Sequence, residues 1–198
     1  MTTAHRLRIV GLGGSLRPGS SSLHALRASL AAASAAGATT ELLDLRLLDL
    51  PLYGSAKAEV PAGASRLAEA VAAADGLIWS SPLYHGTISA SFKNALDWMQ
   101  LLADADPPFL ADRPVGLIAT AAGTQGLQAV NTMEFVVRAL RGWTVPLVAP
   151  IARSYQAFSA DGLPVEPAVA DLLARLGREV VVAAGRFAAA PLPEARTA

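Results

Sequence analysis

The stretch GLIWSSPLYHGTISASFKNALDWMQ, Gly76–Gln100, passes from an apolar strand (GLIW) through an aromatic loop into an amphipathic helix. Strand, loop, then helix with a 3.6-residue apolar stripe is the unit from which parallel α/β sheets are made. An aromatic loop at the carboxyl end of a buried strand is where open α/β sheets bind planar ligands. Upstream, GLGGSLRPGSSS, Gly11–Ser22, ends another strand in a loop of glycine, serine and arginine. The two loops suggest a phosphate grip and a ring grip on one rim of one sheet.

Outward from these two loops the same unit repeats. Arg8–Gly13 reads as a buried strand, followed by a helix capped by Ser20–Ser22, with Leu23, Leu26 and Leu30 on one face. Thr39–Leu45 reads as the second strand, Leu48–Gly54 as a loop broken by Pro51, and Ala62–Ala74 as a helix with Leu67, Ala70 and Val71 inward. Gly76–Ser80 is the third strand. The helix from Ile88 to Leu102 aligns Ile88, Phe92, Ala95, Leu96, Met99 and Leu102. Pro114–Thr120 is the fourth strand, followed by AAGTQG and a helix aligning Leu127, Val130, Met133, Val137 and Leu140. Val145–Ala149 is a fifth strand ended by Pro150; Ala152–Pro164 is a loop, Pro167–Ala188 a final helix, and the last ten residues are expected to fray. Short β-branched strands alternating with amphipathic helices demand a parallel sheet covered on both faces. Right-handed crossovers and five strands favour the order 2-1-3-4-5, with a ligand at the switch between strands 1 and 3. Residues 1–198 are expected to form one domain.

Composition narrows the function. Sixteen basic and sixteen acidic residues give no net charge, which argues against a nucleic-acid binder and, less strongly, against an acidic electron carrier that docks by charge. There is no cysteine, so disulfides, thiolate metal sites and cysteine nucleophiles are excluded. Three scattered histidines offer no zinc-ligand spacing, and no metal is expected. No signal-peptide core and no long apolar run appear, so a cytoplasmic protein without a membrane span is expected. Arginine outnumbers lysine 14 to 2, a mark of base composition and not of function.

The first loop offers backbone N–H groups, the hydroxyls of Ser15, Ser20, Ser21 and Ser22, and the Arg17 guanidinium. An anion is favoured at a helix N-terminus, and arginine binds two phosphate oxygens at once. A Walker loop needs Gly-Lys-Ser/Thr, and no lysine lies here; a dinucleotide fingerprint needs a third glycine where Leu16 stands, and Asp44 comes too late for its acid. A nucleophile elbow fails because Ser15 is followed by Leu-Arg. A phosphate site and a plain serine-rich cap both stand. In the second loop, Pro82 stiffens the strand exit, and Tyr84 and His85 suit the edge or face of a flat heterocycle. Equally, Tyr84 covers the sheet end and His85 is a solvated loop residue. Gly123, Thr124 and Gln125 are candidate amide donors to ring carbonyls. Phe92, Trp98 and Met99, at helical spacing, belong to a core or a subunit interface, while Lys93 and Asn94 are helix-face residues by spacing or else anchor the helix start or a partner subunit.

These residues resemble the NAD(P)H-dependent FMN reductases of flavodoxin-like fold, which include flavin reductases of two-component monooxygenases and quinone, chromate and azo-dye reductases. The G-S-x-R-x-x-S pattern is filled by Gly14, Ser15, Arg17 and Ser20; S/T-P-x-Y by Ser81, Pro82 and Tyr84; and K-N-A-x-D-W by Lys93, Asn94, Ala95, Asp97 and Trp98. The resemblance covers about residues 8 to 150. It implies a three-layer α/β sandwich in which Ser15, Arg17, Ser20, Ser21 and Ser22 hold the FMN phosphate. Pro82, Leu83, Tyr84 and His85 then border the isoalloxazine, with Gly123, Thr124 and Gln125 on its other edge. It implies hydride transfer from NADPH or NADH to FMN with no catalytic acid–base side chain. The reduced flavin then serves a flavin-dependent monooxygenase or a small-molecule electron acceptor. A homodimer or homotetramer is implied, with the Asn94–Met99 helix near the interface. Leu83-Tyr84-His85 replaces the Glu-Tyr-Asn of many quinone-reductase members, and Ser22 stands where an asparagine is frequent. Three other readings remain: a quinone or xenobiotic reductase with tightly bound FMN, a non-enzymatic flavin electron carrier, and a flavin-free structural relative.

Overall fold

In the computed structural model, which describes residues 6–55 and 59–189, five parallel strands alternate with helices. The strands are β1 (Arg8–Gly13), β2 (Thr39–Asp44), β3 (Gly76–Tyr84), β5 (Pro114–Thr120) and β6 (Trp143–Ile151); a two-residue β4 (Thr87–Ile88) turns back antiparallel on the end of β3. The sheet order is β2-β1-β3-β5-β6. With β4 set aside, this is the 2-1-3-4-5 order expected from the sequence. The Ala189 end of the last helix closes the described chain, so the expectation of fraying falls, but for Ala189, outside the described residues.

Strand residues alternate between two cores, because side chains of a strand point to opposite faces. Val10, Leu12, Leu77, Trp79, Val115 and Leu117 face one layer, formed by α2 (Leu45–Leu48), α3 (Ala62–Ala72), α4 (Ala90–Trp98) and α5 (Gly126–Ala139). Ile9, Ile78 and Ile118 face the other, formed by α1 (Ser21–Ala35) and α6 (Pro167–Ala189). Phe92, Ala95, Leu96 and Met99 are buried as the 3.6-residue stripe requires. The stripe is broken at both ends: Ile88 sits in β4, and Met99–Leu102 tightens into a 3-10 turn. Leu127 does not share the inward face of α5. It stands in the helix's first turn and is 52% exposed, whereas Val130, Met133 and Val137 are buried.

Arg113 fastens the start of β5 to the end of α3, donating to the carbonyls of Val71 and Ala72. Burial pushes its guanidinium below the usual arginine range, and the charge of Asp75 works against that shift. No described helix is long and apolar enough to cross a membrane.

Candidate functional site

The carboxyl ends of β1 and β3 meet with almost no space between them. A Cβ on Gly13 would lie 2.1 Å from the Ser80 carbonyl oxygen, so only glycine permits this approach. The Gly14 amide donates to that carbonyl at 3.2 Å, and the Ser80 hydroxyl donates to the Ser22 carbonyl at 2.8 Å. These bonds set the first turn of α1 against β3. One rim thus carries both loops singled out in the sequence.

Ser20 is the N-cap of α1, its Oγ accepting from the Leu23 amide at 3.3 Å. The cap reading is therefore correct for Ser20, and it does not exhaust the loop. The amides of Ser21 and Ser22 lead the helix and have no carbonyl within it to receive them. The Ser15 hydroxyl accepts from the Arg17 amide at 3.2 Å, and the Ser20 and Ser22 hydroxyls lie 3.2 Å apart. Ser21 donates its hydroxyl to the Ser154 carbonyl at 2.8 Å. Arg17 is exposed and makes no ion pair among the described residues. Asp44, too late in the sequence for the acid of a dinucleotide fingerprint, caps α2, accepting from the Arg46 amide at 3.0 Å.

The second loop is a continuation of β3. The strand runs through Pro82, Leu83 and Tyr84, and only then turns, at His85 and Gly86, with φ of 49° and 84°. Two consecutive residues of positive φ make the tight hairpin that joins Tyr84 to Thr87. Ser81 holds the return: its Oγ accepts from the Ser89 amide at 3.0 Å, and Ser89 caps α4.

Between these walls lies a cavity of about 270 Å³. Eight of the residues expected from the sequence line it: Ser15, Arg17, Ser20, Ser21, Ser22, Pro82, Leu83 and Tyr84. His85 does not, because it forms the hairpin tip. Gly123, Thr124 and Gln125 also fall outside the lining; Ala122, one step earlier on the β5–α5 loop, takes that place. The Gln125 side chain folds back over Gly123, where a Cβ would come 2.4 Å from its Oε1.

Four lining residues were not anticipated: Thr120, Ala122, Ser154 and Tyr155. Thr120 ends β5 beside Pro82 in the ladder, a register visible only once the sheet is assembled. Ser154 and Tyr155 belong to the excursion after β6, within the Ala152–Pro164 loop of the sequence. That excursion is tied down by the Ser154 amide, which donates to the Ala121 carbonyl at 2.9 Å, and by Phe158 against His24 at 5.8 Å.

The cavity's chemistry is one-sided. Among the described residues its ionisable side chains are Arg17, Tyr84 and Tyr155, and no carboxylate or histidine lines it. An unpaired guanidinium, hydroxyls and leading helix amides are a donor set for a dianionic phosphate. Pro82, Leu83 and Tyr84 form an apolar and aromatic wall beside it. A phosphorylated planar ring fits this pair of surfaces.

Residues 7–156 match the family model described as NADPH-dependent FMN reductase. The chain belongs to this family. The NADPH-dependent FMN reductase ArsH of Shigella flexneri is 30% identical over 177 residues, which are 87% of this chain and 68% of that protein. An NADPH:quinone oxidoreductase of Arabidopsis thaliana is 35% identical over 127 residues, 61% of each chain. In fold, the chain is similar to FerB, a flavoenzyme NAD(P)H:(acceptor) oxidoreductase from Paracoccus denitrificans. The TM-score is 0.73 at 22% identity, with 91% of this chain and 98% of that one covered. This FMN reductase family works with NAD(P)H and FMN, and the chain is an oxidoreductase of that class.

Proposed function

We propose that the cavity between the Ser15–Ser22 loop and the end of β3 is the FMN site of an NAD(P)H-dependent flavin reductase built as one domain. The observation that carries this reading is the shared lining: the same cavity is bordered by Arg17 with its serines and by Pro82, Leu83 and Tyr84. In this reading Arg17 and the leading amides of α1 neutralise the phosphate, with the Ser15, Ser20 and Ser22 hydroxyls donating to it. Ser21 contributes its amide, since its hydroxyl is engaged by Ser154. Pro82, Leu83 and Tyr84 hold the ring, with Thr120, Ala122, Ser154 and Tyr155 on the remaining sides. Gly123, Thr124 and Gln125 form the outer rim of the β5–α5 loop, and His85 makes the turn.

When bound, FMN supplies the redox chemistry, accepting hydride from a reduced nicotinamide and passing the electrons to a small-molecule acceptor. The chain's task is then to bind and orient, which suits a cavity lined by no carboxylate or histidine among the described residues. Tyr84 and Tyr155 are 48% and 66% exposed at its mouth, so donor and acceptor reach the site from the solvent side.

Identity to a quinone oxidoreductase favours a second reading in which FMN stays bound and a quinone or another xenobiotic is reduced. We further propose a homodimer in the cytoplasm. Ala95, Leu96, Trp98 and Met99 are spent on the chain's own core, so the contact falls on the neighbouring exposed Leu52, Tyr53 and Leu101.

The test is a visible spectrum of the purified protein, then NADPH and NADH oxidation with and without added FMN. A colourless protein that turns over added FMN is the reductase. A yellow protein that passes electrons to quinones is the second reading. A protein that neither binds FMN nor oxidises NAD(P)H contradicts both.

A further inference from the structure

His24 stands in the first turn of α1, between two segments that border the cavity described above. On one side is the end of the Ser15–Ser22 loop: a Cβ on Gly19 would lie 3.8 Å from Nε2 of the imidazole. On the other side is the hairpin of residues 158–164, closed by an antiparallel bridge between Phe158 and Pro164. Phe158 lays its ring against the imidazole, with centroids 5.8 Å apart and planes tilted by 37°. Gly162 completes the seat. Its φ is 79°, and a Cβ there would run into Nδ1, so glycine alone lets the turn rest on the ring.

The hairpin's backbone hydrogen bonds join it to itself: Ser159 to Leu163 at 2.8 Å, Gly162 to Ser159 at 2.9 Å and, at its base, Val165 to Ala157 at 3.0 Å. Its root is held by Ala157, buried beside a separate cavity that Glu166 and Leu172 also border. The tip is therefore held by contact with His24. The His24 side chain makes no hydrogen bond and no ion pair among the described residues, so packing is what it contributes.

The same excursion carries Tyr155 at the cavity mouth. Just before it, Ser154 is fixed on both its amide and its carbonyl, by Ala121 and Ser21. Just after it, Phe158 meets His24. Tyr155 thus lies between two attachments to the body of the fold, and the second is an imidazole that no sequence signal singled out.

We propose that His24 is a positioning residue for the flavin site: by seating the hairpin it holds Tyr155 at the mouth of the cavity, against bound FMN. The inference rests on that cavity being the flavin site. A binding residue is only as well placed as the side chains that support it.

Flavin fluorescence titration of the full chain tests this with His24→Ala, His24→Phe, Tyr155→Ala and the double variant His24→Ala/Tyr155→Ala. His24→Ala weakens FMN binding about three- to tenfold, the scale of one aromatic contact. His24→Phe restores most of the loss, since a flat ring again fills the space between Phe158 and Gly162. In the Tyr155→Ala background His24→Ala has no further effect, because the residue it positions is gone. A histidine with a structural role alone would lower the urea midpoint and leave the affinity of the folded protein unchanged. That result overturns the proposal, as does a loss that adds in full to that of Tyr155→Ala. Gly162→Ala unseats the hairpin from the other side of the contact, in a turn whose preceding residues are exposed, and reproduces the His24→Ala loss; wild-type affinity in this variant also overturns the proposal. Amide exchange of the flavin-free protein separates the two readings. Faster exchange at Val165 in His24→Ala, with no FMN bound by any variant or by wild type, refutes the flavin reading and leaves the seat standing. FMN bound equally by wild type and His24→Ala, with exchange unchanged, refutes this inference alone.

Discussion

The backbone N–H of Tyr53 donates to Oδ1 of Asn94 across 2.8 Å, joining the loop after α2 to the middle of α4. The Asn94 amide group donates in turn to the carbonyls of Leu50 and Pro51, at 3.4 and 2.9 Å, and the Trp98 indole N–H to that of Pro51 at 2.8 Å. The Tyr53 ring stands edge-on to Trp98 at 5.2 Å. The Lys-Asn-Ala-Leu-Asp-Trp run thus clamps the Leu-Pro-Leu-Tyr-Gly loop of its own chain. Lys93 pairs with Asp97 on the open side of the helix. Asn94→Ala is expected to cost about 1–2 kcal/mol, and Trp98→Phe about 1 kcal/mol, the net worth of the hydrogen bonds removed. Urea denaturation of the two single variants and the double variant measures both costs and their coupling. An Asn94→Ala midpoint equal to wild type would refute the clamp.

Arg17 is expected to contribute to binding and not to folding. It makes no ion pair among the described residues, so Arg17→Ala leaves the urea midpoint of the flavin-free protein unchanged. Its FMN affinity falls by about 1.5–3 kcal/mol, the range for a hydrogen bond to a charged group. Flavin fluorescence titration reads the change directly.

Gly13→Ala tests the closure of the rim. The added methyl would sit 2.1 Å from the Ser80 carbonyl oxygen, backbone that cannot step aside without parting β1 from β3. A loss of about 2–3 kcal/mol of stability is expected, at the upper end of overpacking, together with weakened FMN binding. Thermal unfolding and the same fluorescence titration are the readouts.

His85 is expected to matter for its backbone. At φ 49° in a two-residue turn, asparagine is an acceptable replacement and valine is not. His85→Val is expected to cost about 1–3 kcal/mol, while the pH profile of kcat for His85→Asn overlays that of wild type. A profile that lost one limb in the asparagine variant would restore a proton-transfer role.

The alternation of strands and helices, the sheet order and most of the cavity lining were legible in the sequence, because apolar period and loop chemistry are local signals. Prolines obscured the strand ends. Pro82 reads as a breaker after Ser80, yet β3 continues to Tyr84; β1 has ended at Gly13 opposite Ser80, so one side of the strand has no ladder left to lose. The sequence reading ends the fifth strand, Val145–Ala149, at Pro150, whereas β6 spans Trp143–Ile151. It is an edge strand, and its register shifts between Thr144 and Val148, around Pro146. Ser154 and Tyr155 were not legible as lining, because the bonds from Ser154 to Ser21 and Ala121 join segments far apart in the chain.

A crystal of the protein soaked in FMN tests the central claim most directly. The account predicts the phosphate among Ser15, Arg17 and Ser20–Ser22, with the ring along Pro82, Leu83 and Tyr84. Flavin bound elsewhere, for instance in the cavity beside Glu166 and Leu172, or a rim left empty at saturating FMN, would contradict it.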